Sequence, residues 1–159
     1  DKKDLLRTIC GQLRPGGKLV LAETVFAEGQ RLSALLPGLT APLAEALIRA
    51  EEALFSDPDD PRMNWRPEDL EAILRDECGL EVRLRRERYE GSRRISGEDI
   101  EHWFRAAGKQ EQPSLGDRLR VVLDGGDIDS LRQRMLAALG RREVSWGTVV
   151  GYVVGTSPL

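Results

Sequence analysis

Leu13-Arg14-Pro15-Gly16-Gly17-Lys18-Leu19-Val20-Leu21-Ala22-Glu23, "LRPGGKLVLAE", is the stretch on which the fold turns. The double glycine reads either as a cradle for a phosphate or as a bend that delivers the chain into a strand. A phosphate-binding glycine loop runs from strand to helix, so that backbone N–H groups at the helix N-terminus face the anion. Here the order is reversed. Leu5, Leu6, Ile9 and Leu13 mark a helical stripe over residues 4–13, Pro15-Gly16-Gly17 stops it, and an apolar run follows. Such a loop lies at the amino end of its strand, whereas ligands of open α/β sheets sit beyond the carboxyl ends. The reading is a bend. Lys18 to Val25 shows little alternation, the pattern of a strand covered on both faces, as in a parallel sheet with helices on each side.

Working outward, the period of Leu43, Leu47, Ala50 and Leu54 predicts a helix over residues 41–55 with Thr40 as N-cap, after a short turn broken by Pro37, Gly38 and Pro42. Asp57-Pro58-Asp59-Asp60-Pro61 is a loop. Pro67 opens the next helix, with Glu68 and Asp69 favourable at its positive end, and Gly79 closes it. Residues 80–89, "LEVRLRRERY", alternate apolar and charged and predict a strand with one wet face at or near a sheet edge. Ser96-x-x-Asp99 and Ser114-x-x-Asp117 read as capping boxes. The first opens a helix running to about Gly108; the second has Leu115, Leu119, Val122 and Leu123 behind it. Asp124-Gly125-Gly126 turns the chain, and Asp127 caps a last helix carrying Ile128, Leu131, Met135 and Leu139. Val144 to Val154, "VSWGTVVGYVV", is apolar on both faces and predicts an interior strand. At most three strands are available and two of them read as interior. A three-stranded sheet has one interior strand, so Leu19–Val25 is expected to lack a neighbour.

The 159 residues fit one compact domain. Hydrophobic residues are 40%, charged residues 32%, and the net charge is −3, which excludes nucleic-acid or membrane binding by bulk charge. No window approaches the roughly 20 apolar residues of a bilayer span, and no apolar signal-peptide segment is present. One histidine, His102, rules out His-rich metal motifs. Cys10 and Cys78 fall in apparent helices without a CxxC pattern, which fits a reduced, cytoplasmic setting. The helical stripe begins almost at Asp1, as expected of a chain cut from a longer one.

Three segments carry a family resemblance. "LLRTICGQLRPGGKLVLAET" resembles the helix and fifth strand of class I S-adenosylmethionine-dependent methyltransferases. "RPEDLEAILRDECGLEVRL" resembles their later helix and sixth strand, and "WGTVVGYVVGT" the seventh strand, antiparallel and inserted between the other two. The resemblance implies an α/β fold: the C-terminal part of a Rossmann-like methyltransferase sheet, about three mixed strands with five to six helices. Residues 1–159 would then form a single methyltransferase-like C-terminal subdomain, with a helical insertion at about 96–140. The family binds its cofactor with a glycine-rich turn after the first strand and an acidic residue ending the second, and no segment here matches either. The implied function is therefore the C-terminal portion of such a domain, inactive alone. It would hold no cofactor of its own; S-adenosylmethionine would belong to the parent, and the expected partner is the missing N-terminal half or a second copy of the chain, as a dimer. "AETVFAEGQRLSALL", "DDPRMNW" and "SRRISGEDIEHWF" also resemble a methyltransferase-like module found behind bacterial recombination-associated AAA+ ATPases. That resemblance implies the alternative, a non-catalytic interaction or assembly module appended to a DNA-acting AAA+ ATPase.

Candidate site residues follow, each with a plainer alternative. Glu23 ends the first strand on the side where such sheets place ligands, and with Arg31 it would contact a substrate; the alternative is an ion pair or a solvated loop. Asn64 and Trp65 would wall a pocket, or pack with the indole N–H satisfied. Arg83, Arg85, Arg86, Arg88, Arg93 and Arg94, with Tyr89 among them, offer a grip on a nucleic-acid backbone with a stacking ring. The alternative is an exposed strand whose charges, interleaved with Glu81, Glu87 and Glu90, prevent edge pairing. His102 has no partner in a recognisable catalytic arrangement.

Overall fold

A computed structural model describes residues 2–63, 65–108 and 111–159. The elements in chain order are α1 (Lys2–Cys10), β1 (Lys18–Thr24), α2 (Ala41–Phe55), α3 (Pro67–Ala72, continued by a π turn at Ile73–Glu77), β2 (Glu81–Ile95), α4 (Gly97–Phe104), α5 (Leu115–Leu119), α6 (Gly125–Leu139) and β3 (Arg142–Thr156). Short 3-10 turns lie at Phe26–Glu28 and Ser33–Leu35. The strands form one antiparallel sheet in the order β1-β3-β2. The chain divides into two compact units, residues 1–28, 65–89 and 148–159, and residues 29–64 and 90–147.

In the first unit α1 and α3 lie on one face of the sheet. Leu6, Leu70, Leu74, Leu80 and Val153 are buried there, with Leu19, Leu21, Val82 and Leu84 packed against them. The core-facing positions of β3 alternate valine with glycine, and the glycines have a steric reason. A Cβ at Gly151 would lie 2.7 Å from Pro67 Cγ, and one at Gly155 would lie 2.7 Å from Leu80 Cδ1. Gly79, at φ +68°, lets α3 and its π turn end sharply and hand the chain to β2. The π turn itself is defined by the Cys78 N–H donating to the Ile73 carbonyl at 3.2 Å.

The second unit is helical around its own core. Leu47, Ile95, Ile100, Leu119, Leu131 and Met135 are fully buried in it, contributed by α2, the end of β2, α4, α5 and α6. Both capping boxes form: the Ser96 and Ser114 hydroxyls accept from the N–H of Asp99 and Asp117 at 3.0 and 3.1 Å, and each aspartate reaches back. Residues 96–140 do not stand by themselves here, because they share this core with α2.

Several expectations are corrected. Lys18–Thr24 is a strand but not one covered on both faces, because Val20 is 61% exposed. Neighbouring strands all run antiparallel, so the sheet is not mixed between neighbours. β2 runs on to Ile95, where residues 90–95 find non-local partners: Ser92 Oγ bonds Glu143, and the Arg141 N–H donates to the Ile95 carbonyl at 2.7 Å. α4 stops at Phe104. α5 stops at Leu119 and leaves Val121 and Val122 exposed. Asp124, not Asp127, caps α6. Its carboxylate accepts from the Asp127 N–H at 2.9 Å, and the two glycines form the helix's first turn.

Candidate functional site

The most distinctive surface of the first unit is the outer edge of β1. The register pairs Leu19 with Gly155, Leu21 with Val153 and Glu23 with Gly151. The Val25 N–H donates to the Val149 carbonyl at 2.8 Å, and the Ser157 N–H to the Gly17 carbonyl at 2.9 Å. In an antiparallel ladder bonded pairs alternate, so Leu19, Leu21 and Glu23 turn their backbone groups to β3. Val20, Ala22 and Thr24 turn theirs outward, along an edge that faces no strand among the described residues. The same alternation puts Leu19 and Leu21 into the core and Val20 and Ala22 on the opposite, exposed face.

The glycine bend that delivers β1 uses its amides within the chain. The Gly16 N–H donates to the Ser157 carbonyl at 3.1 Å and the Gly17 N–H to the Arg14 carbonyl at 2.7 Å, with Gly16 at φ +73°. Both donors that could face an anion are occupied, as a bend requires.

Glu23 is exposed at the carboxyl end of β1. Trp65 is half-buried and packed against the first core. Arg31 belongs to the second unit, where its guanidinium lies 3.9 Å over the Phe55 ring. Asn64 lies outside the described residues.

The arginines of β2 do not make one stripe. Alternation puts Arg83 and Arg85 on the face that Tyr89 shares, and Arg86 and Arg88 on the other. Arg85 pairs with Glu87, and Arg86 pairs with Glu28 at 3.3 Å and with Glu68 on α3. Burial works against the Glu68 charge, but its own backbone N–H and Arg86 hold its carboxyl below the usual range. The Tyr89 hydroxyl bonds Glu87 and meets the Tyr152 hydroxyl at 2.7 Å; these two bonds, Glu87's first, push its ionisation well above the usual tyrosine value. In the second unit Arg93 lies 4.7 Å over the Trp146 ring, and Arg94 is exposed. Carboxylates and rings of the protein thus engage much of the charge and aromatic surface that a nucleic acid would need.

Glu51 escaped sequence reasoning. It sits in α2 at a position that reads as surface, yet it is 2% exposed. Its carboxylate accepts from the N–H of Leu32 at 2.6 Å and of Ser33 at 3.1 Å, so it caps the Ser33–Leu35 turn. Its role is structural. His102 is exposed on α4. Among the described residues no three His, Cys, Asp or Glu side chains come together as metal ligands, and no helix is long and apolar enough to cross a membrane.

No protein-family model matches the chain, and no curated protein matches it either.

Proposed function

We propose that the chain is the C-terminal portion of an S-adenosylmethionine-dependent methyltransferase-like domain, and that the β1 edge receives a strand from the cofactor-binding half. One observation carries this reading: β3 is inserted antiparallel between β1 and β2, and the other edge of β1 faces no strand among the described residues. That order corresponds to the fifth, seventh and sixth strands of the resembled sheet, in which the fifth strand is interior. An open apolar edge is a template for pairing unless it is blunted by charge, proline or a bulge. Val20 and Ala22, between the exposed charges of Lys18 and Glu23, carry none of these devices themselves.

In such a domain this half supplies the substrate-side wall, with Glu23 at the carboxyl end of β1, where ligands of α/β sheets sit. Methyl transfer moves a methyl from the cofactor's sulfonium to a nucleophile on the substrate. Holding the two reactants in line and excluding water then contributes more than any one side chain of this chain. The test is isothermal titration with S-adenosylmethionine. The chain alone gives no binding heat, and the parent polypeptide carrying the preceding half gives saturable binding. A parent without affinity for the cofactor overturns the reading.

The separate helical core of the second unit favours a second reading, a non-catalytic module appended to a DNA-acting AAA+ ATPase. A parent with DNA-dependent ATPase activity and no cofactor affinity would select it.

A further inference from the structure

Cys10 closes α1, and Cys78 follows the π turn at the entry to β2. Both are half-buried, packed against the same core as Leu6 and Leu74, and the two thiols are hydrogen-bonded to each other. Their helices are already drawn together one turn away. Glu77, beside Cys78, holds Lys3 at 3.3 Å and also Arg7, both on α1. Two half-buried thiols that meet where ion pairs already hold α1 against the π turn are the natural candidates for a bridge.

We propose that Cys10 and Cys78 are a reversible disulfide pair that clasps α1 to the turn entering β2. The co-reactant is a low-molecular-weight disulfide of the glutathione class. The Cys78 thiolate attacks one of its sulfurs, forming a mixed disulfide and releasing one small thiol. The Cys10 sulfur then attacks the Cys78 sulfur, closing the internal bridge and releasing the second small thiol. Two protons and two electrons pass from the protein pair to the reagent, so the exchange balances without another oxidant. Burial, and then the hydrogen bond to Cys78, push the Cys10 thiol up to about 11. Cys10 is therefore the second sulfur to attack, its proton passing to the departing small thiolate as the bridge closes. The bridge closes a loop of roughly 70 residues, long enough to restrict the unfolded chain substantially.

The test treats the whole chain with oxidised glutathione, traps free thiols by alkylation and maps the peptides. The expected result is a peptide pair linking residues 10 and 78, no retained glutathione, and an upward Tm shift of roughly 5–10 °C that reduced glutathione reverses. Cys10→Ser should keep one glutathione on Cys78, because nothing displaces it. Cys78→Ser should take up glutathione more slowly, on the order of tenfold. Glutathione retained on both cysteines of the unsubstituted chain, cross-linked dimers in place of the internal bridge, or two thiols that remain unmodified would each overturn the proposal. The unsubstituted chain decides the matter even if a variant folds poorly.

Discussion

The two units solve the same problem to different degrees. The helical unit surrounds its apolar side chains: Ile95, Ile100, Leu119, Leu131 and Met135 are wholly buried, and α4, α5 and α6 start at satisfied caps. The sheet unit buries Leu74 and Val153 just as completely on one face, but exposes Val20 at 61% and leaves the outward amides of β1 facing no strand among the described residues. An element can thus be well made internally and still present the surface of an unfinished sheet. The difference separates residues that close a core from those that the proposed function assigns to pairing with another strand.

Substitutions probe that contrast, and the helical core should respond most strongly. Leu131→Ala removes a fully buried side chain and should cost about 2–5 kcal/mol in urea denaturation. A cost below about 1 kcal/mol would mean that this core is not closed. Gly116→Ala comes next, because a Cβ there would lie 2.4 Å from the Phe104 carbonyl oxygen, which is backbone and cannot rotate aside. About 1–3 kcal/mol is expected, read from the shift in urea midpoint.

The caps give a smaller effect with a pH signature. Ser96→Ala and Ser114→Ala should each cost about 1 kcal/mol. The Asp99 carboxyl is held below its usual range by the N–H and hydroxyl of Ser96. Burial opposes the Asp117 charge, but the N–H groups of Ala107 and Ser114 outweigh it and hold that carboxyl low as well. A carboxyl whose folded pKa is depressed stabilises the protein above its unfolded value of about 4, and that contribution is lost as pH falls through the folded value. Stability measured from about pH 6 downward should therefore decline in acid, and less steeply in Asp117→Asn. An unchanged slope in that variant would remove Asp117 from the account.

The smallest effect on stability is expected at β1. Val20→Lys, on the exposed face beside the unpaired edge, should change the unfolding free energy in urea by no more than about 0.5 kcal/mol while weakening any association through that edge, read by sedimentation. A large loss of stability would show that Val20 already packs within this chain.

Helices with strong local chemistry were legible in the sequence. The bounds of α2 follow from the period of Leu43, Leu47, Ala50 and Leu54 and from Pro42 in its first turn, and both serine caps were visible as Ser-x-x-Asp. That β3 is an interior strand could be read from its apolar residues on both faces, while its place between the other two was implied by the family resemblance. What stayed hidden depended on partners distant in the chain. The end of β2 is polar on both sides and is held by Glu143 and by Arg93 stacking on Trp146, neither of which its own pattern reveals. Glu51 reads as one more surface acid until the amides of Leu32 and Ser33 are brought to it. The π turn at Ile73–Glu77 has no compositional mark, and the contact of Cys10 with Cys78 depends on how α1 folds back. Of the candidate site, an unpaired edge on Leu19–Val25 was expected, but for a strand covered on both faces, whereas Val20 is exposed; the meeting of Tyr89 on β2 with Tyr152 on β3 was not foreseen.

Amide hydrogen exchange along β1 reads the unpaired edge itself. In the dilute chain alone, the amides of Val20, Ala22 and Thr24 should exchange quickly while those of Leu21 and Glu23 are protected by β3. In the parent polypeptide carrying the preceding half, the first three should become protected too. Outward amides that are already slow in the dilute chain, or still fast in the parent, would contradict the account.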